Sequence, residues 1–168
     1  NATDEEKAAA KAKVDEAVTE AKHQIDQATN NQGVDDAKTH GTDSINQVQP
    51  TVVKKDEAKQ AIDAAATTKK AEIDQTPNAT DEEKAAAKAK VDEAVTEAKH
   101  QIDQATNNQG VDEAKTHGTD SINQVQPTVV KKDEAKQAID AAATAKKAEI
   151  DQTPNATDEE KAAAKAKV

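Results

Sequence analysis

The sequence predicts an all-α protein: tandem three-helix bundles strung end to end into an elongated rod. Three observations carry that expectation. A 77-residue block recurs almost letter for letter, with the string NATDEEKAAAKAKV opening at Asn1, Asn78 and Asn155; between residues 1–77 and 78–154 only Asp36/Glu113 and Thr68/Ala145 differ. Alanine, lysine, glutamate and glutamine are abundant, and they are the best helix formers. The sparse apolar residues recur at spacings of three and four, with breaks near Gly33, Pro50 and Pro77 that leave three helix-length stretches per block.

The first helix opens at Thr3, an N-cap residue with Glu6 three positions on as capping-box partner and Asp4 and Glu5 in the positive first turn. Val14, Val18, Ala21, Ile25 and Ala28 then form one stripe, and Thr29–Gly33 ends the helix, with Gly33 as a turn residue. A shorter second helix places Val34, Ala37, Gly41, Ile45 and Val48 on one face, Gly41 being suited to a close helix contact, and Pro50 stops it. The third begins near Thr51 and runs through Ala58, Ile62, Ala65, Ala66 and Ile73 to about Gln75. Thr76-Pro77-Asn78 breaks the chain, and Thr80 with Glu83 caps the next unit.

Val14 and Ile25, Val34 and Ile45, and Ile62 and Ile73 are each 11 residues apart. Eleven residues in three turns predicts helices that are nearly straight or drift right-handed. The phrase Lys-x-x-Val/Ile-Asp recurs at Lys11, Lys22, Lys59 and Lys70; its Lys and Asp, four apart in the weaker orientation, read as a solvated face. Short loops predict antiparallel neighbours. The domains expected are residues 1–77, 78–154 and the start of a third unit at 155–168. An alternative bundle frame of about 51–126 lies between Pro50 and Pro127. A chain that starts and stops inside its own pattern is expected to be an excerpt of a longer array.

Composition narrows the function classes. There is no Cys, Met, Trp, Tyr or Phe, and no Leu or Arg, so each block offers ten large apolar side chains. That poverty and the net charge of −10 lean toward disorder; the regular apolar period, which a disordered tail does not need, argues for folded but marginal helices. Without Arg forks or aromatic stacking platforms, an acidic chain is a poor nucleic-acid ligand. No apolar run reaches the length of a membrane span, and no signal peptide is visible. An interfacial helix would set Leu, Phe or Trp opposite a basic face, which this chain lacks. Without cysteine there is no disulfide framework.

The histidines His23, His40, His100 and His117 are the residues that invite chemistry. His23 points away from the apolar stripe and His40 flanks Gly41; a zinc site needs three or four converging ligands, and Asp26 or Asp43 would join only by coincidence of packing. Ser44 and Ser121 have no adjacent base, and Gly33, Gly41, Gly110 and Gly118 are too isolated to form a phosphate loop. The carboxylates lack an apolar pocket to raise their pKa. No catalytic, cofactor-binding or metal residue is assigned, no cofactor is expected, and the chain is expected not to be an enzyme.

The phrases AKQAIDAAATTKKAEIDQTPNATDEEKAAAKAKVDEA and GVDDAKTHGTDSI resemble the tandem repeat of unknown function in staphylococcal cell-wall-anchored surface proteins of the FmtB, SasC and Ebh kind. The resemblance covers the whole chain. It implies an extracellular, wall-anchored surface protein of a Gram-positive bacterium, with long arrays standing between a distal domain and the anchor and a role in adhesion or biofilm. It brings no catalytic residues.

The function expected is therefore a non-enzymatic stalk that projects a distal domain from the cell wall, a monomeric rod extending by about 40–55 Å per block if bundles join end to end. Its negative charge would repel an anionic wall polymer. The alternatives are a multivalent adhesive module that binds host matrix or serum proteins weakly and gains by avidity, and homophilic cell–cell association through exchanged helices. So little apolar content predicts a thermal midpoint below about 80 °C, which a circular-dichroism melt of the chain in plain buffer checks.

Overall fold

Each capping signal opens a helix. The computed structural model describes all 168 residues: α1 (Asp4–Gln27), α2 (Asn31–Asn46), α3 (Lys54–Asp74), α4 (Asp81–Gln104), α5 (Asn108–Asn123), α6 (Lys131–Asp151) and α7 (Asp158–Lys165). No strand is present, so the chain is all-α. The Thr3 hydroxyl accepts from the Glu6 N–H at 3.3 Å while the Glu6 carboxylate accepts from the Thr3 N–H at 2.9 Å, a reciprocal box that satisfies two orphan donors. Thr80 with Glu83 and Thr157 with Glu160 repeat it.

Two boundaries differ from the sequence expectation. Gly33 is not a turn residue: Asn30 is the N-cap, its side chain accepting from the Gly33 N–H at 2.8 Å, so α2 already starts at Asn31. Asparagine is as good a cap as serine or aspartate, and it wins over the glycine that follows. The third helix begins at Lys54 rather than near Thr51. After α3 and α6 the chain turns through Asn78 and Asn155, with φ of 65° and 62°; asparagine tolerates this left-handed conformation better than most residues.

The chain forms two units, Asn1–Lys70 with Lys90–Val125, and Ala71–Ala89 with Gln126–Val168. In the first unit α1 packs along α2, and α4 and α5 meet at Gly118, where an added Cβ would collide with the Ala98 Cβ and lie 2.9 Å from the Ile62 Cδ1 of α3. The core of this unit is Ala58, Ile62 and Ala66 from α3, Val91, Ala98 and Ile102 from α4, and Val111 and Ile122 from α5. These are small or β-branched side chains, stiff at χ1, which let backbones approach closely.

The Lys-x-x-Val/Ile-Asp phrase is not simply a solvated face. In the first unit Lys59 pairs with Asp103, Lys99 with Asp63 at 2.7 Å, and Lys70 with Asp92 at 2.5 Å. Each step up α3 is matched by an equal step down α4, so the phrase on one helix meets the phrase on its antiparallel neighbour. Lys54 adds a bridge from α3 to Asp112 of α5 at 2.8 Å. Each pair flanks a buried Ile or Val and is partly exposed, so it contributes at most about 1 kcal/mol and acts mainly on register. In the second unit Lys88–Asp74 and Lys165–Asp151, both 2.5 Å, are the same rung one block apart, with Ile73, Ala79 and Ala87 buried there.

Equal sequences end up unequally buried. Ile62 is 0% exposed and its copy Ile139 is 70% exposed; Val111 is 0% exposed and its counterpart Val34 is 37% exposed. Ile62→Ala is expected to cost about 2–4 kcal/mol by loss of burial and cavity formation, and Ile139→Ala less than about 0.5 kcal/mol. Urea unfolding of the two variants at low micromolar concentration checks this contrast.

Candidate functional site at the helix junctions

The densest polar network lies where helices end. In the first unit the segment Asn1–Glu6 reaches the starts of α3 and α5 and the end of α4. One oxygen of Glu6 holds the Thr3 N–H; the other accepts from the backbone N–H groups of both Val53 and Lys54, each at 2.9 Å. Neighbouring Glu5 accepts from the N–H of Asn108, the first residue of α5, at 2.9 Å. Three helix N-termini, those of α1, α3 and α5, thus converge on two adjacent carboxylates. Unsatisfied N–H groups and the positive end of each helix dipole make that arrangement favourable for anions.

The remaining contacts close the junction. The fully buried Thr3 hydroxyl donates to the Asn108 Oδ1 at 2.7 Å, and the Asp4 N–H donates to the Thr106 carbonyl at 2.8 Å. Lys55, only 5% exposed, donates to the Asp103 carbonyl at 2.9 Å in the last turn of α4, where a cation meets the negative end of the helix. It also reaches the Asn1 Oδ1 at 3.4 Å. Glu5, Glu6 and Lys55 thus each face a helix end of opposite sign.

The second unit repeats the central feature. Glu83 accepts from the N–H groups of Val130 and Lys131, each at 2.9 Å, while boxing Thr80. Helix α6 has no side-chain cap of its own at Val130; its cap comes from a glutamate 47 residues earlier. Backbone hydrogen bonds hold both carboxyls far below the ordinary glutamate value of 4.5, at about 2: for Glu6 chiefly from Lys54, then Thr3 and Val53, and for Glu83 chiefly from Thr80, then Lys131 and Val130. Hydrogen bonding to the ionised form is the cause. At both places a carboxylate fastens the start of a distant helix.

The residues considered for chemistry lie elsewhere. His23, His40, His100 and His117 are exposed on α1, α2, α4 and α5, and no group of three His, Asp or Glu side chains gathers to hold a metal ion. His40 and the half-buried Ser44 border a shallow groove with Ala21 and Gly41. Asp26 and Asp43 are exposed. An added Cβ at Gly41 would lie 2.5 Å from the Ala21 Cβ, the close contact expected of it. The junction roles of Glu5 and Glu6 escaped the sequence reading, which assigned them to their own helix. The signal that points to them is an uncapped helix start, Thr51-Val52-Val53-Lys54, in each block.

Comparison with known proteins gives a consistent picture. A family described as Domain of Unknown Function (DUF1542) matches residues 1–53, 54–130 and 131–168. Extracellular matrix-binding protein EbhA of Staphylococcus aureus strain Newman is 34% identical over 170 residues, covering 100% of this chain and 5% of that protein. Extracellular matrix-binding protein ebh of Staphylococcus aureus strain COL is likewise 34% identical over 170 residues, covering 100% of this chain and 2% of that protein. The chain thus spans a few per cent of the length of these curated relatives. No solved structure matches.

The depressed glutamates set a pH dependence. A carboxyl whose pKa is lower folded than unfolded adds stability that is complete above about 4.5 and is lost as pH falls toward 2. The Glu6→Gln/Glu83→Gln double variant is expected to melt below the parent at pH 7, with the gap closing between pH 4.5 and 2. Melting curves at stepped pH check this; a gap that persists unchanged at pH 2 contradicts it.

Proposed function

This chain belongs to the DUF1542 family of repeat domains, and from that premise we propose that it is a spacer, a stretch of helical bundles holding a distal part of a surface protein away from the cell. Its relatives are named extracellular matrix-binding proteins rather than enzymes, and the stalk reading gives such a protein its reach. The observation that carries the proposal is the recurrence of one junction. Glu6 and Glu83 make the same bonds at an interval of 77 residues. A connection repeated with every block adds a constant increment of length, which is what a spacer requires.

In this reading the folding unit is the alternative frame of about 51–126, helix three of one block with helices one and two of the next. The buried residues from Ala58 to Ile122 and the family match over 54–130 support that division. The 77-residue blocks from Asn1 and Asn78 remain the period of the sequence. The relatives' name supports extracellular placement, and wall anchoring is carried into this reading by the family resemblance alone. No helix of the chain is long and apolar enough to cross a membrane.

A second reading is favoured by the relatives' name alone: each repeat binds a matrix component weakly and the array gains avidity. The exposed surface offers Lys, Gln and Asn but no aromatic or Arg anchor, the types that usually dominate binding energy. Small-angle scattering of chains with two and four blocks separates the readings from one side. The spacer predicts a maximum dimension growing by about 40–55 Å per block, and an unchanged dimension refutes it. Surface plasmon resonance of the same chains over immobilised matrix proteins tests the other: micromolar or tighter binding by this chain favours adhesion.

A further inference from the structure

We propose that the stretch joining α2 to α3, with its copy joining α5 to α6, is a cleavage site for an endopeptidase whose primary pocket takes a small apolar side chain. The bond cut is the one after Val52, and after Val129 in the copy. This goes beyond the spacer reading and does not depend on it. Pro50 and Pro127 exclude helix and bias the glutamine before each toward extended backbone. The β-branched residues that follow, Thr51, Val52 and Val53, continue that conformation.

Residues 47–53 and 124–130 are the longest non-helical runs in their blocks. Within them, the backbone of 49–52 and of 126–129 makes no hydrogen bond to the rest of the protein. The second run follows a complete set of three helices, α3, α4 and α5, and still alternates as a strand does: Val125, Pro127 and Val129 are half-buried, while Gln126, Thr128 and Val130 are exposed. Proteins that take up an extended peptide pair with its free main-chain groups and read alternate side chains in pockets. The other breaks offer no such ladder. The chain passes residues 28–30 with the Ala28 N–H on the Ile25 carbonyl and Asn30 engaged as a cap. At residues 75–80 the N–H groups of Gln75 and Thr76 are bonded, Asn78 is left-handed and Thr80 is boxed by Glu83.

Side-chain types choose the enzyme class. Every Asp and Glu, and every Lys except Lys167, lies in a helix, and the chain has no Arg, Leu or aromatic residue. Pockets built for charge or bulk therefore find nothing in the linker, whereas valine fills a small apolar one. In the reaction the oxygen of water joins the Val52 carbonyl carbon and the C–N bond to Val53 breaks. The products are a Val52 carboxylate and a Val53 ammonium. Glu6 guards this bond, because it holds the N–H groups of Val53 and Lys54, the two residues just beyond it, at 2.9 Å each. Both must be released before they can enter an extended cleft. Glu83 guards the copy in the same way, through Val130 and Lys131.

Brief digestion of the folded chain with pancreatic elastase, read by mass spectrometry, is expected to give first products that end at Val52 and Val129. First cuts inside a helix or at residues 75–80 overturn the proposal. Glu6→Gln is expected to speed the cut after Val52 about tenfold, the worth of one charge-assisted hydrogen bond, and to leave the cut after Val129 unchanged. Glu83→Gln is expected to do the reverse. Each linker thus controls for a general loss of stability in the other: equal acceleration at both, or none at either, overturns the guarding role. Val52→Glu, at an exposed side chain, is expected to keep the helical circular-dichroism signal of the parent and abolish the first cut. Cleavage after position 52 at the parent rate overturns the assigned bond.

Discussion

A carboxylate shared between two helix starts is the interaction on which this structure depends. Helix α3 has no capping side chain in the residues before it, and its first N–H groups would be left without acceptors in a partly covered position. Glu6 satisfies Val53 and Lys54 while still boxing Thr3; removing it would orphan donors on two helices at once. Glu5 carries the same logic to α5. The acidic first turn of the block is therefore both a start signal for its own helix and a fastener for others.

The seam between helices follows a second constraint, the near absence of bulk. With no aromatic side chain and no leucine, the interior closes only if backbones come near one another. Gly41 and Gly118 stand where helices one and two of a block approach, against Ala21 and Ala98. The β-branched residues at the remaining seam positions have few rotamers to lose on burial. The flanking Lys–Asp pairs add little energy in water but penalise small slips, because a slide of one or two turns sets like charges opposite one another or leaves them unmatched.

Much of this was legible in the sequence because it is local. Thr3 with Glu6, the three-and-four spacing of Val14 to Ala28, and the breaks at Pro50 and Pro77 depend on neighbours within a turn or two, and the helices lie where those signals put them. What failed was a misread cap or a matter of distance. Asn30 took the cap role that the eye gave to a Gly33 turn. The Lys and Asp of each repeated phrase were weighed as a pair on one helix, although their partners lie on another. The second duty of Glu6 is set by residues 47 and 48 positions away, and no periodicity within one helix encodes that. The unequal burial of Ile62 and Ile139 is the plainest case: identical local sequence, opposite surroundings, decided by which neighbouring helices are present.

The paired phrases on α3 and α4 have a geometric consequence. Because Lys-x-x-Ile-Asp recurs every eleven residues, sliding one helix along the other by three turns would bring Lys59 opposite Asp92 in place of Asp103, again a lysine facing an aspartate. The side-chain ladder by itself is therefore a vernier with more than one matching mark. The singular features that break the tie are the glycine notch at Gly118, which admits Ile62 and offers no equivalent three turns away, and the glutamate that pins the start of α3. The spacing of the chain is thus calibrated at its ends and its notches, while the long repetitive stretches between them could accommodate several settings.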